Sequence, residues 1–104
     1  MDKARLERLL ALQRMEATEA EVYRRLAKMQ YNPVNKAILE GIALEEERHE
    51  VFISKMTGQV VTPNKLQIIK QILLARIFGF TFSIMMMEAT ENDMTSEYRE
   101  LGLN

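Results

Sequence analysis

The chain has no cysteine and no tryptophan, and in 104 residues it has only two prolines, four glycines and one histidine. Without cysteine there are no disulfides, no thiolate metal sites and no cysteine nucleophile, a composition compatible with a reducing cytosol. The shortage of proline and glycine, beside many Ala, Leu, Glu, Lys, Arg and Met, points to an all-α fold. An excess of one charge is lacking too. The net charge is −1 with 28% charged residues, so no basic field argues for nucleic acid. A long apolar run is also missing. The most apolar stretch, Ile68 to Met87, contains Lys70, Gln71 and Arg76, and its uninterrupted part, Ile77 to Met87, is too short to span a bilayer. Asp2, Arg5, Glu7 and Arg8 break up the N-terminus, so it does not read as a signal peptide. The length suits one domain, residues 1–104, with a core of its own.

The punctuation predicts the helices. Asp2 suits an N-cap for a first helix to about Gln30. Tyr31-Asn32-Pro33 stops it and starts a second, with Asn32 as cap and Pro33 in the first turn. So short a link makes the two helices antiparallel neighbours. Thr57-Gly58 ends the second helix near Met56. Thr62-Pro63-Asn64 announces a crossover helix from Leu66 to about Phe78, and Gly79 marks a break before a third long helix ending at Gly102. The competing pattern is one continuous helix from Leu66 to Leu101.

Within this frame the sole histidine, His49, follows Glu46 by three residues, so the two side chains project from one helix face. At about 100° per residue, Leu39, Ile42, Glu46, His49 and Ile53 form one stripe, while Glu45, Glu47 and Arg48 point elsewhere. A carboxylate on an apolar stripe costs several kcal/mol unless compensated, and Glu-x-x-His facing a bundle interior is a building block of carboxylate-bridged di-iron sites. Alone, the spacing reads more often as a solvated face. The first helix adds a second carboxylate. Glu16 sits mid-stripe among Leu9, Leu12, Ala20, Tyr23 and Ala27, with Glu19 at the edge and Glu7 and Glu21 toward solvent. Glu16 lies about sixteen residues before the turn and Glu46 about fourteen after it. At 1.5 Å per residue the two carboxylates fall at similar heights.

The third long helix repeats this material. Met87-Glu88-Ala89-Thr90-Glu91 is identical to Met15-Glu16-Ala17-Thr18-Glu19, 72 residues earlier. A second register pairs Glu16 and Tyr23 with Glu91 and Tyr98, each tyrosine followed by arginine and then, three residues beyond the tyrosine, by leucine. A wheel centred on Glu91 gathers Phe80, Ile84, Met87, Thr95 and Tyr98 and favours the second register, although Glu88 and Glu91, three apart, are placed to serve one metal.

With these residues the chain resembles ferritin-like di-iron proteins of the rubrerythrin type, over Leu9 to Leu101. The carriers are Glu16 seven residues before Tyr23, Glu46-x-x-His49, and Glu88-x-x-Glu91. Leu73-Leu74-Ala75-Arg76-Ile77-Phe78-Gly79 further resembles the soluble N-terminal domain of the erythrin–vacuolar iron transport family, the membrane-bound ferritins. The resemblance implies a ferritin-like helical bundle, with three long or crossover helical segments present and the fourth bundle helix missing, so that the domain is expected to be truncated. It implies two iron ions per complete site, with Mn or Zn as substitutes by donor type. Glu46 would bridge the metals, His49 would bind one, Glu16 with Glu88 or Glu91 would complete the ends, and Tyr23, Tyr98 and Glu19 would surround them. No catalytic residue is implied beyond the ligands. The chemistry is oxidation of Fe(II) by oxygen or peroxide, or iron sensing and delivery for a transporter. The expected setting is cytoplasmic, as the soluble part of a protein whose full chain carries a membrane iron transporter. Two departures stand out. The cysteine-bound rubredoxin iron of rubrerythrins has no ligands here, and the second Glu-x-x-His of the family is absent.

The rival is a helical interaction or oligomerisation module without metal, its stripe carboxylates paired with Arg or Lys. Basic residues are scarce on the stripes, with Arg5 the nearest on the first helix. Both readings imply a homo-oligomer, most simply a dimer, because the third helix carries Phe78, Phe80, Phe82, Ile84 and Met85 to Met87 around much of its circumference.

Overall fold

The first helix begins where the side chain of Asp2 accepts a 2.8 Å hydrogen bond from the backbone N–H of Arg5. A computed structural model describes the backbone of residues 1–103 and every side chain among them except Phe80, Phe82, Ser83, Met86 and Thr90. Helix α1 spans Lys3–Lys28, α2 Pro33–Thr57, α3 Lys65–Phe78 and α4 Phe80–Leu101. The described residues thus form an all-helical chain of four helices. They fall into two compact units, residues 1–72 and 73–104.

The predicted punctuation is where the helices stop and start. Asn32 accepts from the N–H groups of Val34 and Asn35, at 2.8 and 3.2 Å, with Pro33 in the first turn. An N-cap side chain of this kind contributes about 1 kcal/mol. Asn32→Ala is therefore expected to lower stability by about 1 kcal/mol in urea denaturation, with an unchanged denaturant slope. Gly58 closes α2 at φ 67°, a left-handed conformation that glycine adopts without a Cβ clash. Gly79 separates α3 from α4 at φ 93° and ψ 164°, a region essentially reserved for glycine. The break at Gly79 is real, and the continuous helix is not formed. Asn64 caps α3 by accepting from Gln67 N–H at 3.2 Å.

In the first unit α1 and α2 run antiparallel: Gln13 meets Thr57, Glu16 meets His49, and Arg24 meets Glu47. Leu9, Leu12, Ala20, Tyr23, Leu26 and Ala27 of α1 are buried, as are Leu39, Ala43 and Ile53 of α2 and Ile68 of α3. Burying a Leu or Ile side chain contributes about 1.5–3 kcal/mol, so this strip carries the helix pair. The buried face of α2 is turned slightly from the expected stripe. Leu39, Ala43, Glu46 and Ile53 are buried, Ile42 is half-buried and His49 lies at the exposed edge.

The connection from α2 to α3 is tied to α1 by polar contacts. Gln13, fully buried, donates to the Gln59 carbonyl at 2.8 Å and accepts from the Thr57 hydroxyl at 2.7 Å. Thr18, also buried, accepts from Asn64 N–H at 2.9 Å and donates to the Arg14 carbonyl at 2.7 Å. Arg14 reaches the Thr62 carbonyl at 3.1 Å.

In the second unit α4 buries Met87, Met94 and Leu101 and half-buries Ile84, Glu91, Glu97 and Tyr98. Phe78, expected on the third long helix, is instead the last residue of α3, and both it and Met85 of α4 are exposed. Phe80, Phe82 and Met86, also counted toward the apolar circumference of this helix, and Thr90 of the repeat lie outside the described side chains. No helix among the described residues is long and apolar enough to cross a membrane.

Candidate metal centre

Glu16 and Glu46 are carried into the interface of α1 and α2 by the same residues that make it apolar. Leu12, Ala20 and Tyr23 flank Glu16 on its face, and Leu39, Ala43 and Ile53 flank Glu46. Their exposures are 1% and 4%. These are the levels of core leucines, and ionised groups reach them only when compensated. His49, one turn beyond Glu46, has a side chain 47% exposed, and its Nδ1 lies 3.3 Å from Oε2 of Glu16. One donor atom from each of Glu16, Glu46 and His49 lies within 4.8 Å of the other two.

The donor set is two carboxylate oxygens and an imidazole nitrogen. It suits Fe(II), Mn(II) or Zn(II) by hardness and charge. An ion with bonds of about 2.1 Å holds its donors about 3–4 Å apart, so movements on the order of 1 Å would bring these three together on one ion. Two carboxylates brought together in a dry interface repel each other and forfeit hydration. A dication offsets both costs, and the half-exposed imidazole edge gives it a way in. A protonated His49 would offset part of the same charge without metal, so the geometry admits an ion pair as well.

The structure therefore brings three of the sequence-predicted ligands together, all within the first unit. Glu88 and Glu91 belong to α4 in the second unit, and burial distinguishes them: Glu88 is exposed, while Glu91 lies on the buried face with Met87 and Met94. Burial also bears on the two repeat registers. Along α1 the positions Leu9, Leu12, Glu16, Tyr23 and Leu26 are buried. Advanced by 75 residues they become Ile84, Met87, Glu91, Tyr98 and Leu101, all buried or half-buried. Advanced by 72, Glu16 would map onto exposed Glu88. The two helices present the same pattern in the register of Glu91. Tyr23 is buried two turns after Glu16 on its face, Tyr98 is half-buried, and Glu19 is half-buried at the stripe edge. Glu47 points outward and pairs with Arg24 at 3.0 Å.

Sequence reasoning missed Gln13. It stands one turn before Glu16 and is fully buried. In addition to its bonds to Thr57 and Gln59, its amide approaches Oε1 of Glu50 at 3.4 Å. The available signal was position alone, since Gln13 shares the helix face of Leu9 and Glu16.

No family model, curated protein or solved structure matches the chain.

Proposed function

We propose that the first unit is a transition-metal site of the ferritin-like, rubrerythrin type, binding iron through Glu16, Glu46 and His49. The observation that carries this is the pair of carboxylates, at 1% and 4% exposure, converging with the only histidine of the chain. Glu46 and Glu16 supply charge and hard oxygens, and His49 supplies the nitrogen at the solvent edge. Glu91, with Glu88 beside it and Tyr98 beyond, is the carboxylate of the second unit that corresponds to Glu16 in the repeat. Iron bound in such a site supplies one-electron oxidation by oxygen or peroxide. The same residues would serve a domain that takes up iron for an attached transporter, and both activities suit a cytoplasmic setting. Neither needs a catalytic side chain beyond the ligands.

Metal should stabilise the fold. A ligand selective for the native state at a hundredfold excess over its dissociation constant adds about 2.7 kcal/mol. For a chain of this size that raises the melting temperature on the order of 10 °C. The measurement is thermal unfolding under anaerobic conditions with saturating Fe(II) or Mn(II), beside metal analysis of protein purified without chelator. A melting temperature indifferent to both ions would remove the proposal. It would leave the metal-free interaction module, which the exposed apolar Leu44, Val51 and Phe52 of α2 favour.

A further inference from the structure

Helix α2 carries two heptad seams, side by side. Leu39, Ala43, Glu46, Glu50, Ile53 and Thr57, spaced alternately by four and three residues, form the seam against α1, each buried or half-buried. One residue earlier at every step, Ile38, Ile42, Glu45, His49, Phe52 and Met56 form a second. Alternating spacings of four and three are what a helix needs to receive another helix along its length. Yet Ile38 is 56% exposed and Phe52 50%. Ile42 and Met56 are half-buried.

The second seam is its own complement when reversed. Laid antiparallel on a copy of itself about the level of residue 47, Ile38 faces Met56, Ile42 faces Phe52, and Glu45 faces His49. Apolar meets apolar at both ends, and at the centre a carboxylate meets an imidazole twice. A hydrogen-bonding acceptor set against a donor fixes register and direction at such interfaces. A parallel copy would instead set Glu45 against Glu45 and His49 against His49. A face that complements itself under a two-fold rotation is what a closed dimer requires.

We infer that a second copy of this chain docks on the α2 seam, antiparallel, with Glu45 of the partner subunit beside His49. The contact does not rest on metal binding. Where metal is bound, it has a consequence for the site. The two Glu16–Glu46–His49 groups stand on either side of the two-fold axis, and Glu45 of the partner subunit orients the imidazole through Nε2, the ring nitrogen away from Glu16. The dimer expected from the apolar third helix is thereby assigned to α2 instead.

The absence of cysteine makes the test direct. Ile38→Cys and Met56→Cys are prepared as separate proteins of different tag length, mixed, and oxidised in chelator, so that metal plays no part. Residues 38 and 56 lie about 27 Å apart along one helix, too far for a disulfide within a chain. In the antiparallel dimer two copies of residue 38 are as far apart. The mixture should give at least tenfold more cross-linked species than either variant alone. Ile42→Cys with Phe52→Cys should behave alike, which covers the event that Met56→Cys fails to fold. Self-linked Ile38→Cys, or no mixed species from either pair at micromolar concentration, would overturn the inference. Because no ion is present, failure here leaves the metal reading standing, and failure of metal binding leaves the seam standing.

Discussion

Glu16→Met is expected to make the metal-free protein more stable than the natural one while abolishing its metal binding. Replacing buried ionic groups together by apolar side chains of similar volume is often neutral or stabilising by about 1–4 kcal/mol, and removing one of two facing carboxylates also relieves their repulsion. Here the conditions for that gain are met. Glu16 is 1% exposed, it faces the nearly buried Glu46, and its neighbours on the face are Leu12, Ala20 and Tyr23. His49 has a half-exposed side chain, so the imidazole regains water when Glu16 is lost, and Glu46 loses a like-charged neighbour. Urea denaturation in chelator should show the variant ahead, and saturating Mn(II) should reverse the order by stabilising only the natural protein. A variant less stable in chelator would mean that Glu16 serves the fold as an ion-pair partner, which is the arrangement the interaction module requires.

His49→Ala is expected to weaken metal binding by about two orders of magnitude or more. Removing groups that merely orient a ligand costs about 10–100-fold, and a ligand itself should cost at least the upper end. The control is Glu47→Ala. Glu47 is nearby in sequence and carries a carboxylate, but it is exposed and engaged with Arg24. A general attraction of cations to an acidic helix would weaken in Glu47→Ala, which loses a carboxylate, and not in His49→Ala, which loses none. A defined site loses its ion only in His49→Ala, and isothermal titration with Mn(II) separates the two outcomes.

Much of the fold was legible because its signals are local. Asn32-Pro33, Gly58, Gly79 and Gly102 act on their own backbone, so the sequence alone places the ends of the helices near them. The convergence of Glu16 with Glu46 was legible as well, since a short turn and a fixed rise per residue determine the height of every side chain in an antiparallel pair. What a helical wheel leaves open is where the neighbouring helix lies. It gave the direction of His49 but not the edge of α1, and so did not distinguish a buried imidazole from one at the rim. Gln13 was illegible for a different reason. A glutamine on an apolar face is tolerable only if its amide is satisfied, and its partners Thr57 and Gln59 are 44 and 46 residues away. Among the two acids of α4, periodicity inclined toward Glu91, and burial distinguishes it from Glu88.

The clasp of Gln13 and Thr18 on the segment leaving α2 bears on how such a domain would use iron. Two mutually repelling carboxylates would relax most easily if α2 turned about its own axis and delivered Glu46 to water. The Thr57–Gln13 bond near the end of that helix, with the Asn64–Thr18 bond just beyond, opposes the turn. The ligands would then be held in place before an ion arrived, and uptake would change the charge of the interface far more than its shape. A receptor that signals by moving needs the opposite, a loose empty state that metal draws shut. A clasped pair of helices is better suited to turnover than to signalling, and amide exchange at Asn64 should be as slow without iron as with it.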